Sequence, residues 1–254
     1  MTGVEDDPLF RDPEFASFYD IENGDEAESN RGDFAFCRSL AAQAESVLDL
    51  GCGTGELTAS LAPGRRVTGA DPAAAMLDVA RNRPGGDKVR WVEADARNLS
   101  IGETFDLIVL TGHAFQVFLT DQDAAAVLAT IARHLSPNGR FIFDTRNPAY
   151  EAWTTWTPET SERIVTHPVH GQVKAWNDVE FDDATAIATY QTFYKLPAIG
   201  KTLSASSQIR FIGRDRLAEL ITEAGLQVDQ WLGDWQGAPY EAHSKEIIPI
   251  GRLI

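Results

Sequence analysis

The stretch VLDLGCGTGELTASL, Val47 to Leu61, joins an apolar run to a helical pattern through three glycines spaced two apart. Glycine loses more conformational freedom on folding than any other residue. Gly51, Gly53 and Gly55 therefore imply a turn that needs positive φ, or the close approach of another group. An apolar strand, a glycine turn and a helix together form the start of a βα unit, and the flanking sequence continues that pattern.

Upstream, GDFAFCRSLAAQA reads as a helix. Downstream, RVTGAD is a second strand and PAAAMLDVARN a helix opening at Pro72, where a missing N–H is harmless. KVRWVEAD and FDLIVLTG are the third and fourth strands, the latter a continuous apolar run suited to a buried parallel sheet. DQDAAAVLATIARHL is a helix with acidic residues in its first turn, SPNG a turn and RFIFDTR a fifth strand. Alternating strands and helices imply right-handed βαβ units. After Asn147-Pro148 the period changes from helical to two. SERIVTH, QVKAWNDVEF, TAIATYQTFYKL and ASSQIRFIG read as an antiparallel insertion. RDRLAELITEAGL returns to helix with Gly225 as its stop, and QVDQWLGDW and SKEIIPIGRLI close the chain as strands. The expected division is 1–147 with 213–254 as one α/β domain, and 148–212 as an inserted β-rich region covering the substrate.

The totals exclude several classes. Lys and Arg number 22 and Asp and Glu 38 among 254 residues, a net charge of −16, which repels phosphate backbones and anionic lipid. Nucleic acid and membrane are not expected partners. Two cysteines, Cys37 and Cys52, make neither a disulfide framework nor a zinc spacing, and no metal cluster is evident. MTGVEDDPLF has no apolar core of a signal peptide, so a cytoplasmic protein is expected.

Ligands of open α/β sheets bind beyond the carboxyl ends of the strands. A dinucleotide fingerprint requires a third glycine where Glu56 stands, which disfavours a nicotinamide oxidoreductase. Asp71 closes the second strand, 20 residues after Gly51, where a carboxylate can accept from both hydroxyls of a ribose. Asp95 closes the third, at the depth of an adenine amine. In this order and spacing, VLDLGCGTGE, VTGADPAAAMLDVAR, VRWVEADAR, FDLIVLTGHAF and HLSPNGRFIFD resemble the class I S-adenosylmethionine-dependent methyltransferases. The resemblance covers Val47 to Asp144 and extends to the closing helix and strands. It implies a Rossmann-like, mostly parallel sheet with an antiparallel last strand, here carrying an antiparallel β insertion. It implies S-adenosylmethionine as cofactor, with Gly51, Gly53 and Gly55 near its methionine moiety and Asp49 near its amino group. Asp71 would take the ribose, Asp95 and the Ala96 N–H the adenine, and Met76 would pack beside the base. The implied reaction is in-line methyl transfer to a nitrogen or oxygen of a small-molecule acceptor. A non-catalytic binder of the same cofactor is the alternative.

Acceptor-side residues are open to two readings. His113, after the fourth strand, is a candidate general base or a residue shaping the pocket. Gln116, Arg146 and Trp235 are candidate acceptor contacts, or a polar residue, half of a salt bridge and a packing aromatic. Asp144 shares the crevice with Arg146. Tyr19 resembles an N-terminal aromatic that folds over the cofactor, or anchors its own segment. His134 suits a surface role at a helix end, and His167 and His170, read on a strand, point to opposite faces. Trp153, Trp156 and Trp176 line a pocket or build the insertion's own core. The sequence does not give the oligomeric state.

Overall fold

The structure, a computed structural model, describes residues 12–24 and 32–254. The sequence read above as lacking a signal peptide lies outside them. Phe15, Phe18 and Tyr19 belong to helix α1 (Pro13–Asn23), whose N-cap Asp12 accepts the Glu14 N–H at 2.8 Å. Helix α2 (Asp33–Leu40) leads into β1 (Ser46–Leu50), which is buried along its whole length. The βα units continue with α3 (Glu56–Leu61), β2 (Arg66–Asp71), α4 (Ala74–Asn82), β3 (Arg90–Glu93) and β4 (Phe105–Leu110). Helix α5 (Asp121–His134) is capped by Thr120, which accepts the Asp123 N–H at 3.0 Å. It has Asp121 and Asp123 in its first turn and Arg133 and His134 in its last, matching its dipole.

β5 (Leu135–Phe143) and the short β6 (Thr145–Arg146) follow. The expected SPNG turn is instead a bulge within β5. Phe105 pairs with Leu135 and Leu107 with Arg140, so β5 carries three extra residues between these two pairs. The one-turn helix α6 (Pro158–Ser161) precedes β7 (Arg163–His167), β8 (Gly171–Asp182), β9 (Ile187–Leu196) and β10 (Lys201–Arg210). These four strands form a separate antiparallel meander in the order β10-β9-β8-β7. Helix α7 (Arg214–Glu223) returns to the main sheet through β11 (Leu226–Leu232) and β12 (Glu246–Leu253). Gly225, with φ of 77°, ends α7 as expected.

The main sheet runs β11-β12-β5-β4-β1-β2-β3, with β6 also paired to β12. β1 to β5 are parallel, and β12 is antiparallel to β5 and β11. Strand order reverses between β1 and β4, which opens the crevice where α/β sheets hold ligands. One face of the sheet packs Leu48, Leu50, Ile108 and Leu110 against α5 and α7 through Leu128, Ile131, Leu217 and Leu220. The other face packs Val47, Val67, Leu107 and Val109 against Cys37 of α2 and Leu57 and Leu61 of α3. A third cluster joins Phe15 and Phe18 of α1 to Val173, Tyr194 and Leu203 of the second sheet. Phe18 stacks on Tyr194 with centroids 4.1 Å apart.

Two sequence readings are corrected here. His134 is buried, not on the surface: its Nδ1 lies 2.8 Å from the Thr130 carbonyl, and the Ile101 N–H donates to its Nε2 at 3.3 Å. His167 ends β7 but His170 lies in the turn beyond it, so the rings stack with centroids 4.7 Å apart rather than pointing apart.

Gly55 and Gly69 explain how α4 and Trp91 sit so close to β1 and β2. A Cβ on Gly55 would lie 2.4 Å from the Trp91 ring and 2.8 Å from Ala80 Cβ, at a φ of 72°. Steric overlap and left-handed strain act together at this position. Gly55→Ala should lower stability by about 2–4 kcal/mol, as overpacking adds to backbone strain, read as a fall in the urea midpoint. An unchanged midpoint would mean that Trp91 moves aside freely.

Candidate active site

The carboxyl ends of β1 to β4 surround a cavity of about 380 Å³. Gly51 and Gly53 enter it from the turn after β1, both with positive φ. Among the described residues other than its chain neighbours, only the Tyr19 ring, at 3.9 Å, approaches within 4 Å of where a Gly53 Cβ would stand, so a ligand can lie against this backbone. The turn is braced by Asp71: Gly53 donates its N–H to Asp71 Oδ2 and Ala73 its N–H to Oδ1, both at 2.8 Å. Asp71 is thus the turn former at the start of α4 and also a wall of the cavity.

Asp95, Ala96 and Met76 line the same cavity. Arg97 holds Asp95 from one side, with Nη2 at 2.5 Å and Nε at 3.0 Å from Oδ2. Burial would raise the Asp95 pKa, but the Arg97 hydrogen bonds and charge outweigh it and keep the carboxyl below its usual range. Tyr19 lines the cavity from α1. That helix is tied to the glycine turn, because Asp20 accepts from the Thr54 hydroxyl and from Arg83 Nη2 at 2.6 Å.

Asp49 and Gly55 do not reach this cavity. Asp49 borders a smaller adjoining pocket with Gly51, Cys52 and Thr111, and accepts from the Thr58 hydroxyl at 2.6 Å. Gly55 serves the packing of Trp91 described above, which corrects its reading as a ligand contact. Trp235 is likewise corrected. It is buried in the core opposite α2, edge-on to Phe36, and borders neither pocket.

The far side of the cavity comes from the second sheet and the crossover leading to it. Tyr190, Thr192 and Tyr194 alternate along β9 and all face it, joined by Asn177, Arg163 and Glu22 of α1. Glu22 accepts from Arg163 Nε and from the Tyr194 hydroxyl, locking α1 to the sheet. Burial, followed by the Glu22 charge, pushes the Tyr194 pKa far up and keeps the phenol protonated. Arg146 lines the wall with its guanidinium carbon 5.0 Å from the Trp156 ring centroid. Gln116 is not a wall residue. It stands buried behind Arg146, accepting from Nη1 at 2.8 Å and donating to the Arg210 carbonyl at 3.1 Å. Trp156 lines the cavity, whereas Trp153 stacks on Phe181 and Trp176 on Phe193 within the insertion.

His113 also lines the cavity, directly after β4, in a left-handed conformation with φ of 61°. Its main-chain N–H donates to Asp144 Oδ1 at 3.0 Å. Its Nε2 lies 3.0 Å from both Glu246 carboxylate oxygens and 3.3 Å from Asp144 Oδ2. Sequence reasoning placed Asp144 in the crevice but missed Glu246, 133 residues from His113 and without a local motif. The ligand atoms of these three residues lie within 4.8 Å of one another, a donor set of the kind that holds a divalent cation. No spacing in the sequence announced it.

Residues 47–139 match a family model described as a methyltransferase domain. A Streptomyces protein named Cypemycin N-terminal methyltransferase is 30% identical over 214 residues, which are 81% of this chain and 82% of that one. The solved CcbJ methyltransferase from Streptomyces caelestis has a TM-score of 0.78 at 22% identity, covering 94% of this chain and 95% of that one. The sugar N-methyltransferase KedS8 from Streptoalloteichus has a TM-score of 0.71 at 18% identity, covering 92% of each chain.

Burial is the main cause that moves the Asp49 pKa from its ordinary 3.8 up to about 7. The nearby Asp71 charge adds to this and the Thr58 hydrogen bond opposes it. The folded chain therefore binds this proton more tightly than the unfolded chain. Stability from the protonated form is present at low pH and is lost as pH rises from about 4 through about 7. Relative to the parent, Asp49→Asn should gain about 2–3 kcal/mol between pH 5 and pH 8, measured by urea denaturation at both. A gap independent of pH would show Asp49 ionised throughout.

Proposed function

The chain belongs to the S-adenosylmethionine-dependent methyltransferases, and on that basis we propose that it methylates a nitrogen or oxygen of a small molecule. One observation carries this reading. A single cavity is bordered on one side by Gly51, Gly53, Asp71 and Asp95, and on the other by Arg146, Tyr190 and Tyr194. The first set suits a cofactor and the second an acceptor. We read 148–212 as the acceptor's cover on the methyltransferase domain. That shared space favours an enzyme over a non-catalytic binder. The N-terminal methylation in the relative's name, and the sugar N-methylation in the neighbour's, favour nitrogen. A cytoplasmic location belongs to the same reading. Among the described residues, no helix is long and apolar enough to cross a membrane.

In this reading Gly51 and Gly53 let the methionine end lie on bare backbone, with Asp49 beyond them toward its amino group. Asp71 accepts from the ribose. Ala96 N–H and Asp95 meet the adenine, flanked by Met76, and Tyr19 closes over the cofactor. The cofactor supplies an electrophilic methyl on a sulfonium. Its methyl would pass to an acceptor lone pair as the carbon–sulfur pair left on sulfur, which would need no protonation. The protein's work is then alignment and exclusion of water. A nitrogen sheds its proton around transfer, and His113 is a wall residue able to take one. Arg146, steadied by Gln116 and Trp156, orients the acceptor.

Calorimetry should show S-adenosylhomocysteine binding the folded chain, and Asp71→Ala weakening it by about 1.5–3 kcal/mol, the range for a hydrogen bond to a charged group. With an amine acceptor found by screening, His113→Ala should lower turnover about 10²–10⁴-fold at nearly unchanged cofactor affinity. Absence of binding would overturn the proposal. Normal turnover in the variant would remove His113 from the mechanism alone.

A further inference from the structure

We propose that Glu246 and Asp144 are positioning residues that act through His113, fixing the direction of its ring and the nitrogen that carries its proton. The inference rests on the reading of His113 as a proton acceptor and goes one layer behind it. Three carboxylate oxygens surround Nε2, the two of Glu246 at 3.0 Å and Asp144 Oδ2 at 3.3 Å. An ionised carboxylate only accepts, so Nε2 carries a hydrogen. When the ring is neutral, its basic lone pair is then on Nδ1. A single carboxylate would leave the ring free to pivot; Glu246, the first residue of β12, and Asp144, in the link between β5 and β6, approach the same nitrogen from two separate segments and together set its plane. The group is well removed from water, with side-chain exposures of 7% for His113, 0% for Asp144 and 16% for Glu246, and its interactions are correspondingly strong.

The backbone adds an independent observation. His113 holds φ of 61°, directly after Gly112 at 75°, in a region that residues with a Cβ enter at a cost. Asp144 Oδ1 accepts the His113 main-chain N–H at 3.0 Å and so stabilises that conformation. One carboxylate therefore serves both the backbone and the ring of a single residue. A histidine that only filled space would need neither the left-handed backbone nor two buried anions at one nitrogen. The device parallels the orienting carboxylate of hydrolase triads in its logic, with a second carboxylate added.

The test uses the full chain labelled with ¹⁵N histidine, the His113 signals being assigned by their loss in His113→Ala. In the parent, the ring should show the proton on Nε2. In Glu246→Ala it should become a mixture of tautomers, and turnover should fall at least about tenfold, toward the ~10⁴ known for losing an orienting carboxylate. The acceptor KM and cofactor affinity should change little. Glu246→Met fills the same volume without an acceptor, and is used if the alanine variant does not fold. Asp144→Asn keeps an oxygen for the His113 N–H and should shift the tautomer without unfolding. In a His113→Ala background, Glu246→Ala should cost nothing further in turnover. An unchanged tautomer in both carboxylate variants, or a Glu246 effect that persists without His113, would overturn the proposal. Failure of the methyltransferase reading would show separately, as no methylated product from the parent protein.

Discussion

The Asp71 carboxylate holds the ligand-binding edge together. Its two oxygens take the N–H of Gly53, in the turn after β1, and the N–H of Ala73, at the start of α4. Two loops are thereby fixed to one rigid group at the end of β2. Asp71 is buried, so both hydrogen bonds form away from water and orient the carboxylate instead of merely neutralising it. The glycine turn and the start of α4 are both referred to that point. The positive φ of Gly51 and Gly53 has a use only because the turn is held open toward the cavity.

The three glycines that open the motif do different work. Gly53 exposes backbone, Gly51 borders the cavity with its Cβ site 3.1 Å from Ala114 Cβ, and Gly55 admits the Trp91 ring and Ala80 under the turn. Trp91 donates its indole N–H to the Gly86 carbonyl at 2.9 Å, so its position is set from both ends. Gly69 on β2 yields to the same ring, its own Cβ site lying 2.6 Å away. One large aromatic thus accounts for Gly55 of the glycine turn and for Gly69 of β2.

The central sheet was legible because its signals are local. Continuous apolar runs, the acidic first turn of α5 and a stop at Gly225 each lie within a few residues of what they determine. Asp71 and Asp95 were marked from the same kind of local pattern; Asp71 is the last residue of β2, whereas Asp95 lies two residues past the end of β3. The failures share a cause too. Trp235 and Trp156 look alike in sequence, and only packing sends one to the core and the other to the cavity. Gln116 was rightly marked as polar and close, yet it stands one layer behind Arg146 because the Arg210 carbonyl claims its amide. SPNG has turn chemistry, but pairing between β4 and β5 on both sides draws it into a bulge.

Glu246 was the least legible residue, and topology explains both its place and its concealment. β12 inserts between β5 and β11 and runs antiparallel to β5. Its first residue therefore comes to the carboxyl edge, where parallel strands put their last ones. Glu246 pairs with Arg146 of β6, just past Asp144, and so arrives beside a residue 102 positions earlier. His113 joins them from β4, the neighbour of β5 on its other side. A wholly parallel sheet would have sent the start of β12 to the opposite edge. The reversed strand that closes the fold is thus also what brings a second carboxylate to the histidine.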